Sequence, residues 1–431
     1  MKLMNVKGTY DYIPEEMKIR NKIISVLTKN FSLYGYLPLE TPIINYYELL
    51  SYKYRDDAEI LNEIYRLSDQ GDRDLGLRYD LTVPFCKVIG MYKNLPMPFR
   101  RYEIGKVFRN GPVKPGRTRE FYQCDVDVVG IDNRYIEAEQ ILMAINTYKE
   151  LGIDVIVKYN NRKIMSGIIL GCGIKEDKLD SVIGVIDKLE KVSKQEIVDM
   201  LKDLDISDKV IEKLFNYFDG NVFDINQDDL EDSGRELFQT GILEIKELDD
   251  YLDKLGIKEK CLYTSTLARG LSIYTGVVFE FYDKLGRVRS AIGGGGRYDK
   301  IITNFMDNGN KYPACGLSFG LEPIYVILKS MEENNSLIDI YMVPLGEDNV
   351  KIETLKLASI LRSNGYRVLI EMNKKKISKC FEHADREQIN YVMIVGEDEI
   401  NSKVYRIKNM KEKKEYSYNK DELIKYLNNN K

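Results

Sequence analysis

The sequence predicts an α+β domain with an antiparallel sheet, interrupted by a helical insertion and followed by a C-terminal α/β domain with a small mixed sheet. Three observations carry this: strand-like segments joined by a hairpin at residues 107–130, a charged helical block at 161–254, and strands alternating with helices after residue 334. The 431 residues are enough for two or three domains, each with its own core.

Taken in order, residues 15–34 carry apolar side chains at helical spacing, and 75–79, 98–108 and 121–130 read as strands. Residues 134–151 form an amphipathic helical pattern stopped by Gly152. From 161 to 254 the chain is helical and charged, as in D-K-L-D-S-V-I-G-V-I-D-K-L-E-K-V, with almost no strand signal. Strands are expected again at 274–282 and 288–292, and the glycines of 293–296 are expected to form a flexible run that a ligand approaches closely. Asn334-Asn335-Ser336 reads as a linker. Beyond it, buried-type strands at 338–344, 366–372 and 391–395 alternate with helical patterns at 350–363 and 377–388, which places helices on both faces of a small sheet. The resulting division is 1–160 and 256–333 for the first domain, 161–255 for the insertion and 334–431 for the last domain.

The hairpin is the richest segment. In F-Y-Q-C-D-V-D-V, Phe121, Gln123, Asp125 and Asp127 alternate with Tyr122, Cys124, Val126 and Val128, so one row faces a cleft and the other a core. Gly111-Pro112 and Pro115-Gly116 supply the loop. Arg109, Arg117 and Arg119 surround it, and a guanidinium fork matches phosphate oxygens bidentately and keeps its proton. A solvated basic hairpin is the competing reading, but carboxylates inside an apolar strand are costly unless they have partners.

Composition excludes several classes. No apolar run approaches the roughly 20 residues that span a membrane, and the N-terminus has no signal-peptide core. The six cysteines lie far apart without a C-x-x-C pair, which argues for reduced thiols in the cytoplasm and against structural zinc. His383 is the only histidine, which excludes a histidine-rich metal site and argues against a Ser-His-Asp triad. The net charge of −4 gives no overall nucleic-acid signature. From Leu337 onward, however, there are 18 Lys+Arg against 15 Asp+Glu, including Lys374-Lys375-Lys376 and the run at 408–414.

Arg109, the G-R-x-R-E-F run and Gln123 resemble motif 2 of class II aminoacyl-tRNA synthetases, and Y-Q-C-D-V-D is similar to the histidyl family in particular. The resemblance runs nearly end to end: K-G-T-Y-D-Y-I-P-E-E (7–16), G-Y-L-P-L-E-T-P (35–42, motif 1), L-R-Y-D-L-T (77–82), L-A-R-G-L-S-I-Y-T-G (267–276), G-G-G-G-R-Y-D (293–299) and G-L-S-F-G-L-E (316–322, motif 3). It implies an ATP-dependent histidine–tRNA ligase working with Mg²⁺, a homodimer built on motif 1, and tRNA(His) as partner of the last domain. It also implies roles for single residues. Arg109 and Arg269 would neutralise the approach of a carboxylate to an α-phosphate; Asp80, Thr82, Gln123, Asp127 and Tyr274 would hold L-histidine; Arg109, Arg117, Glu120 and Arg297 would hold ATP. A carboxylate and a phenol at opposite imidazole nitrogens would reject amino acids lacking them.

Two departures bear on this. The family's R-G-L-D-Y-Y is here R-G-L-S-I-Y, with Ser272 and Ile273, and the arginine that follows G-L-E in motif 3 is here Pro323. The alternative reading is a non-ligating paralogue resembling the histidine-binding regulatory subunit of ATP phosphoribosyltransferase. The basic last domain, which that subunit generally lacks, favours the ligase.

Overall fold

The hairpin lies inside an eight-stranded sheet. In the computed structural model, which describes residues 2–52, 58–113, 117–189, 192–268, 273–331, 336–373 and 375–430, strands Phe99–Phe108 and Glu120–Val129 pair antiparallel with Arg101 opposite Asp127 and Glu103 opposite Asp125. The sheet order is Leu37–Pro38, Phe99–Phe108, Glu120–Val129, Ala314–Gly320, Gly293–Arg297, Val277–Asp283, Val155–Asn161, Cys261–Tyr263. Only the two outermost pairings are parallel. A separate three-stranded sheet joins Ile44–Tyr46, Asp74–Leu77 and Arg66–Ser68.

One face of the large sheet is the main core. Cys124, Val126 and Val128 with Leu317, Phe319, Phe279 and Phe281 pack on helix residues such as Leu27, Phe31, Ile141 and Tyr148. This is the row that alternation assigned to the interior, and burying it supplies the dominant stabilisation of the domain. The opposite face carries Gln123, Asp125 and Asp127. Helices Arg162–Gly171, Leu179–Ile186, Lys194–Asp203, Asp208–Asp219 and Asp232–Lys254 lie in the chain between strands Val155–Asn161 and Cys261–Tyr263, and their apolar faces join the same core. Asn161 starts the first by accepting from Lys163 N at 2.9 Å, and Ser193 starts the third with a reciprocal capping box to Glu196.

Two expectations about residues 288–297 are corrected. Residues 288–292 form no strand, and the glycines read as a flexible run make up the regular strand Gly293–Arg297 inside the sheet. The reason is steric: a Cβ on Gly295 would lie 2.0 Å from the Gly316 carbonyl oxygen, and Gly296 sits at φ +154 with Val277 O 2.4 Å from where a Cβ would be. Glycine here lets neighbouring backbones close up rather than bend.

The chain divides into two compact units, Met1–Asp11 with Ile19–Lys329, and Tyr12–Lys18 with Ser330–Lys431. The second unit holds a mixed sheet ordered Val368–Ile370, Ile340–Leu345, Tyr391–Gly396, Val404–Asn409, Lys414–Asn419, the first three parallel and the last two an antiparallel hairpin. Helices Asp348–Ser363 and Lys420–Asn429 cover one face through Leu357, Leu361, Leu423 and Leu427, and Ile377–Arg386 covers the other through Cys380 and Ala384. All six cysteines are buried and outside any disulfide. No helix among the described residues is long and apolar enough to cross a membrane.

Candidate active site

Three rows of the sheet set the geometry. Register places Arg101, Asp127 and Gly316 in one row, Glu103, Asp125 and Ser318 in the next, and Gly105, Gln123 and Gly320 in the third. Every second residue of a strand points to the same face, so acidic and amide side chains stand on a floor of glycines. The floor is tight: a Cβ on Gly316 would lie 2.1 Å from Asp127 Oδ1.

The carboxylates are buried and specifically partnered. Arg101, fully buried, contacts Asp127 Oδ2 through Nη2 at 2.6 Å, donates to Leu81 O at 3.3 Å and stacks over Phe85. Tyr298 OH donates to the other Asp127 oxygen. Arg78 donates from Nη1 to Glu103 Oε1 at 2.7 Å and to Thr41 O at 2.7 Å. Asp80 Oδ1 accepts from Val83 N at 3.0 Å and so fixes the start of helix Thr82–Met91. Asp125 differs from these. Its Oδ2 accepts from Gln123 Nε2 at 3.4 Å, whereas its Oδ1 and Gln123 Oε1 are buried acceptors without a hydrogen bond among the described residues. Burial pushes the Asp125 carboxyl up to about 7; Arg101 and the Ser318 hydroxyl pull the other way, and Asp127 and Asp80 add to the rise. A donor-rich cation is the chemical complement of this corner.

Next to it is a cavity of about 420 Å³ lined by Arg109, Arg117, Phe121, Gln123, Ser318 and Pro323, among others. The Arg109 guanidinium stands 4.3 Å from the Tyr79 ring centroid and 5.0 Å from that of Phe121. Its one hydrogen bond among the described residues runs from Nε to Tyr79 O at 3.3 Å, which leaves both Nη groups for an anion. Arg117 Nη2 donates to Glu63 Oε1 at 2.6 Å. Arg119 braces the loop by donating from Nε to Gly111 O at 3.2 Å. Gln123 belongs to both halves: it lines the cavity and bonds Asp125.

The sequence-derived set is thus brought together in part. Asp80, Gln123 and Asp127 surround the acidic corner, and Thr82 opens the adjoining helix. Tyr274 is buried with its ring edge 3.0 Å from where a Gly296 Cβ would be. Arg297 is not at the cavity. It is 1 % exposed, forks onto Glu137 from Nε at 2.7 Å and Nη2 at 3.0 Å, and donates to Ile131 O and Asn133 O, so its donors are used inside the fold. Glu120 likewise turns to Lys106. Arg269 and Ser272 lie outside the described residues. Pro323 gives the cavity an apolar wall, and Ile273 packs in the small core around Tyr274 and Tyr298.

Arg78, Arg101, Glu103, Tyr298 and Glu63 were missed. For Arg101 and Glu103 the signal was present: they alternate in F-R-R-Y-E-I-G-K-V-F as Asp125 and Asp127 do in the partner strand. Pairing the two patterns across the hairpin would have joined them.

A histidyl-tRNA synthetase family model matches residues 8–324, and an anticodon-binding domain model matches 339–430. The chain belongs to the histidyl-tRNA synthetase family. It is 42% identical over 429 residues to histidine–tRNA ligase 1 of Bacillus cereus (strain ZK / E33L), covering 99% of this chain and 100% of that one. Its fold is similar to the crystal structure of histidyl-tRNA synthetase from Nostoc sp. PCC 7120, with a TM-score of 0.83, 26% identity and 99% of each chain covered. A Bacillus halodurans C structure titled as an ATP phosphoribosyltransferase regulatory subunit/histidyl-tRNA synthetase shares the fold at TM-score 0.76 and 22% identity, covering 91% of this chain and 98% of that one. Family membership makes the protein an aminoacyl-tRNA synthetase, an enzyme that uses ATP as a substrate.

Proposed function

We propose that the protein activates L-histidine with ATP to histidyl-adenylate, releasing pyrophosphate, and transfers the histidyl group to tRNA(His), releasing AMP, in the cytoplasm. The observation that carries this is the junction at Gln123 of an acceptor-lined, acidic corner with an arginine-lined cavity on one sheet face. An amino acid presents an ammonium group to the first and its carboxylate toward the second, where the triphosphate lies. Attack of that carboxylate on the α-phosphorus brings two anions together, so the site must neutralise charge where it develops. Arg109, held between two aromatic rings, has its Nη donors available there, and Arg117 is placed for the outer phosphates. Arg269 joins Arg109 on the resemblance alone. Asp80, Thr82 and Gln123 hold the α-amino end; Asp127 and Tyr274 take the imidazole, with Tyr298 and Arg101 holding Asp127 in place. Mg²⁺ would enter with the nucleotide as part of the substrate and would shield the charge of its phosphates.

A homodimer is part of the proposal. Leu37, Ile43, Ile44, Tyr46 and Leu67 are exposed apolar side chains in and beside the motif 1 segment, an unusual concentration for a free surface. So is the division into 1–160 with 256–333, an insertion at 161–255 and an anticodon-reading domain from 334.

Purified protein is expected to exchange pyrophosphate into ATP only when histidine is present and to charge tRNA(His). Arg109→Ala should lower the exchange rate by a factor on the order of 10² or more with the melting temperature unchanged. Histidine binding without exchange would replace this reading by the regulatory paralogue.

A further inference from the structure

We propose that Glu63 is a positioning residue for the nucleotide half of the site, setting Arg117 directly and Arg109 through Tyr79. The inference deepens the ATP reading above and rests on it. Glu63 ends the short helix Ala58–Glu63 and is buried. Its two carboxylate oxygens are divided: Oε1 accepts from Arg117 Nη2 at 2.6 Å, and Oε2 accepts from Tyr79 OH at 3.0 Å. Its backbone oxygen accepts from Asn110 N at 2.7 Å, so one residue meets the hairpin on both sides of its loop. Tyr79 is the ring on which the Arg109 guanidinium stands.

The loop is shaped to admit this carboxylate. A Cβ on Gly111 would sit 2.2 Å from Glu63 Oε1 and 3.2 Å from Arg117 Nη2, so the glycine beside Pro112 provides space for the ion pair as well as a turn. The asymmetry of the pair shows which partner fixes the other. The Glu63 side chain is 7% exposed and the Arg117 side chain 47%, so a rigid buried acceptor holds a long cation at the cavity's edge. An unanchored arginine samples many rotamers and loses that freedom when a ligand binds. Anchored by Glu63, Arg117 has lost much of it beforehand. Neither Glu63 oxygen has a role in the bond-making step; its effect runs through the two arginines.

The test is steady-state pyrophosphate exchange with the full-length protein, varying ATP and histidine separately, together with calorimetric titration of ATP alone. Glu63→Gln keeps the shape and an acceptor for Tyr79 but removes the charge that holds Arg117. It should raise the ATP KM and Kd about tenfold, the worth of one charge-assisted hydrogen bond, while the histidine KM stays within about twofold. In an Arg117→Ala background the same substitution should add less than about twofold, because its effect has already been removed. An unchanged ATP KM and Kd, equal rises for both substrates, or fully multiplying effects in the double variant would overturn the proposal. If Glu63→Gln fails to fold, Tyr79→Phe, which deletes one hydrogen bond onto Glu63, must still weaken ATP and spare histidine. A parent protein that shows no histidine-dependent exchange would overturn the reaction assigned above, while ATP titration of parent and variant would still decide the role of Glu63.

Discussion

The protonation of Asp125 is set by its surroundings. An aspartate in an unfolded chain titrates near 3.9, and here burial pushes the carboxyl up to about 7. Between those values the folded state binds a proton that the unfolded state does not, so this group's contribution to stability falls as pH rises from about 4 to about 7. Asp125→Asn, neutral at all pH, should therefore be stabilised relative to the parent at pH 8, by an amount on the order of 2–4 kcal/mol, and near parity at pH 4.5. Thermal melts at the two pH values check this, and an equal difference at both would mean that the carboxyl is not displaced. The acidic corner is thus least content with itself when empty and alkaline, a condition that a bound ammonium group relieves.

At the scale of the element, the glycines of the paired strands Gly293–Arg297 and Ala314–Gly320 decide what the site can tolerate. Gly316 lies opposite both Asp127 and Gly296, and a methyl there must displace the Asp127 carboxylate from Arg101 and Tyr298. Gly316→Ala is expected to raise the histidine KM about tenfold or more and leave the ATP KM nearly unchanged, since Arg109 and Arg117 of the cavity lie beyond the Gln123 row. Equal effects on both substrates in exchange kinetics would show that the floor is not specific to the acidic corner.

The same strand shows why part of the structure was legible in the sequence and part was not. Alternation in F-Y-Q-C-D-V-D-V marked the two faces because period 2 is an intrinsic property of a strand. Four consecutive glycines have no period to read, and only the approach of Gly316 and Val277 makes them regular. Arg109, Gln123 and Asp127 could be placed from one motif. Arg297 could not, because its partner Glu137 is 160 residues away in the chain and belongs to a helix whose pattern shows only amphipathicity. Glu63 stayed hidden for the same reason: nothing in N-E-I-Y ties it to an arginine 54 positions later.

At the scale of the molecule, the second unit, which matches an anticodon-binding domain model, is where tRNA recognition is tested. The basic run at 408–414 turns out to be the tip of the hairpin Val404–Asn409/Lys414–Asn419, with Lys411, Lys413 and Lys414 exposed and Tyr416, Tyr418 and Tyr426 clustered beside it. The sequence alone predicts no hairpin there because its strands are too charged to resemble buried ones. Replacing Lys411, Lys413 and Lys414 by Gln should lower tRNA charging efficiency on the order of tenfold and flatten its salt dependence, while pyrophosphate exchange is unaffected. Charging assays across a salt series would refute this if efficiency and slope both stayed the same.

Cys124 stands between Gln123 and Asp125 on the strand that carries both halves of the site, yet its thiol points into the core and burial holds it far from the thiolate form. Cys315, on the adjoining strand, is held in the same way. The catalytic sheet is therefore indifferent to oxidants and alkylating reagents as long as it stays closed. Inactivation by such reagents would time the opening of the sheet, so these thiols serve as a clock for local unfolding on the strands that carry Gln123, Asp125 and Gly316.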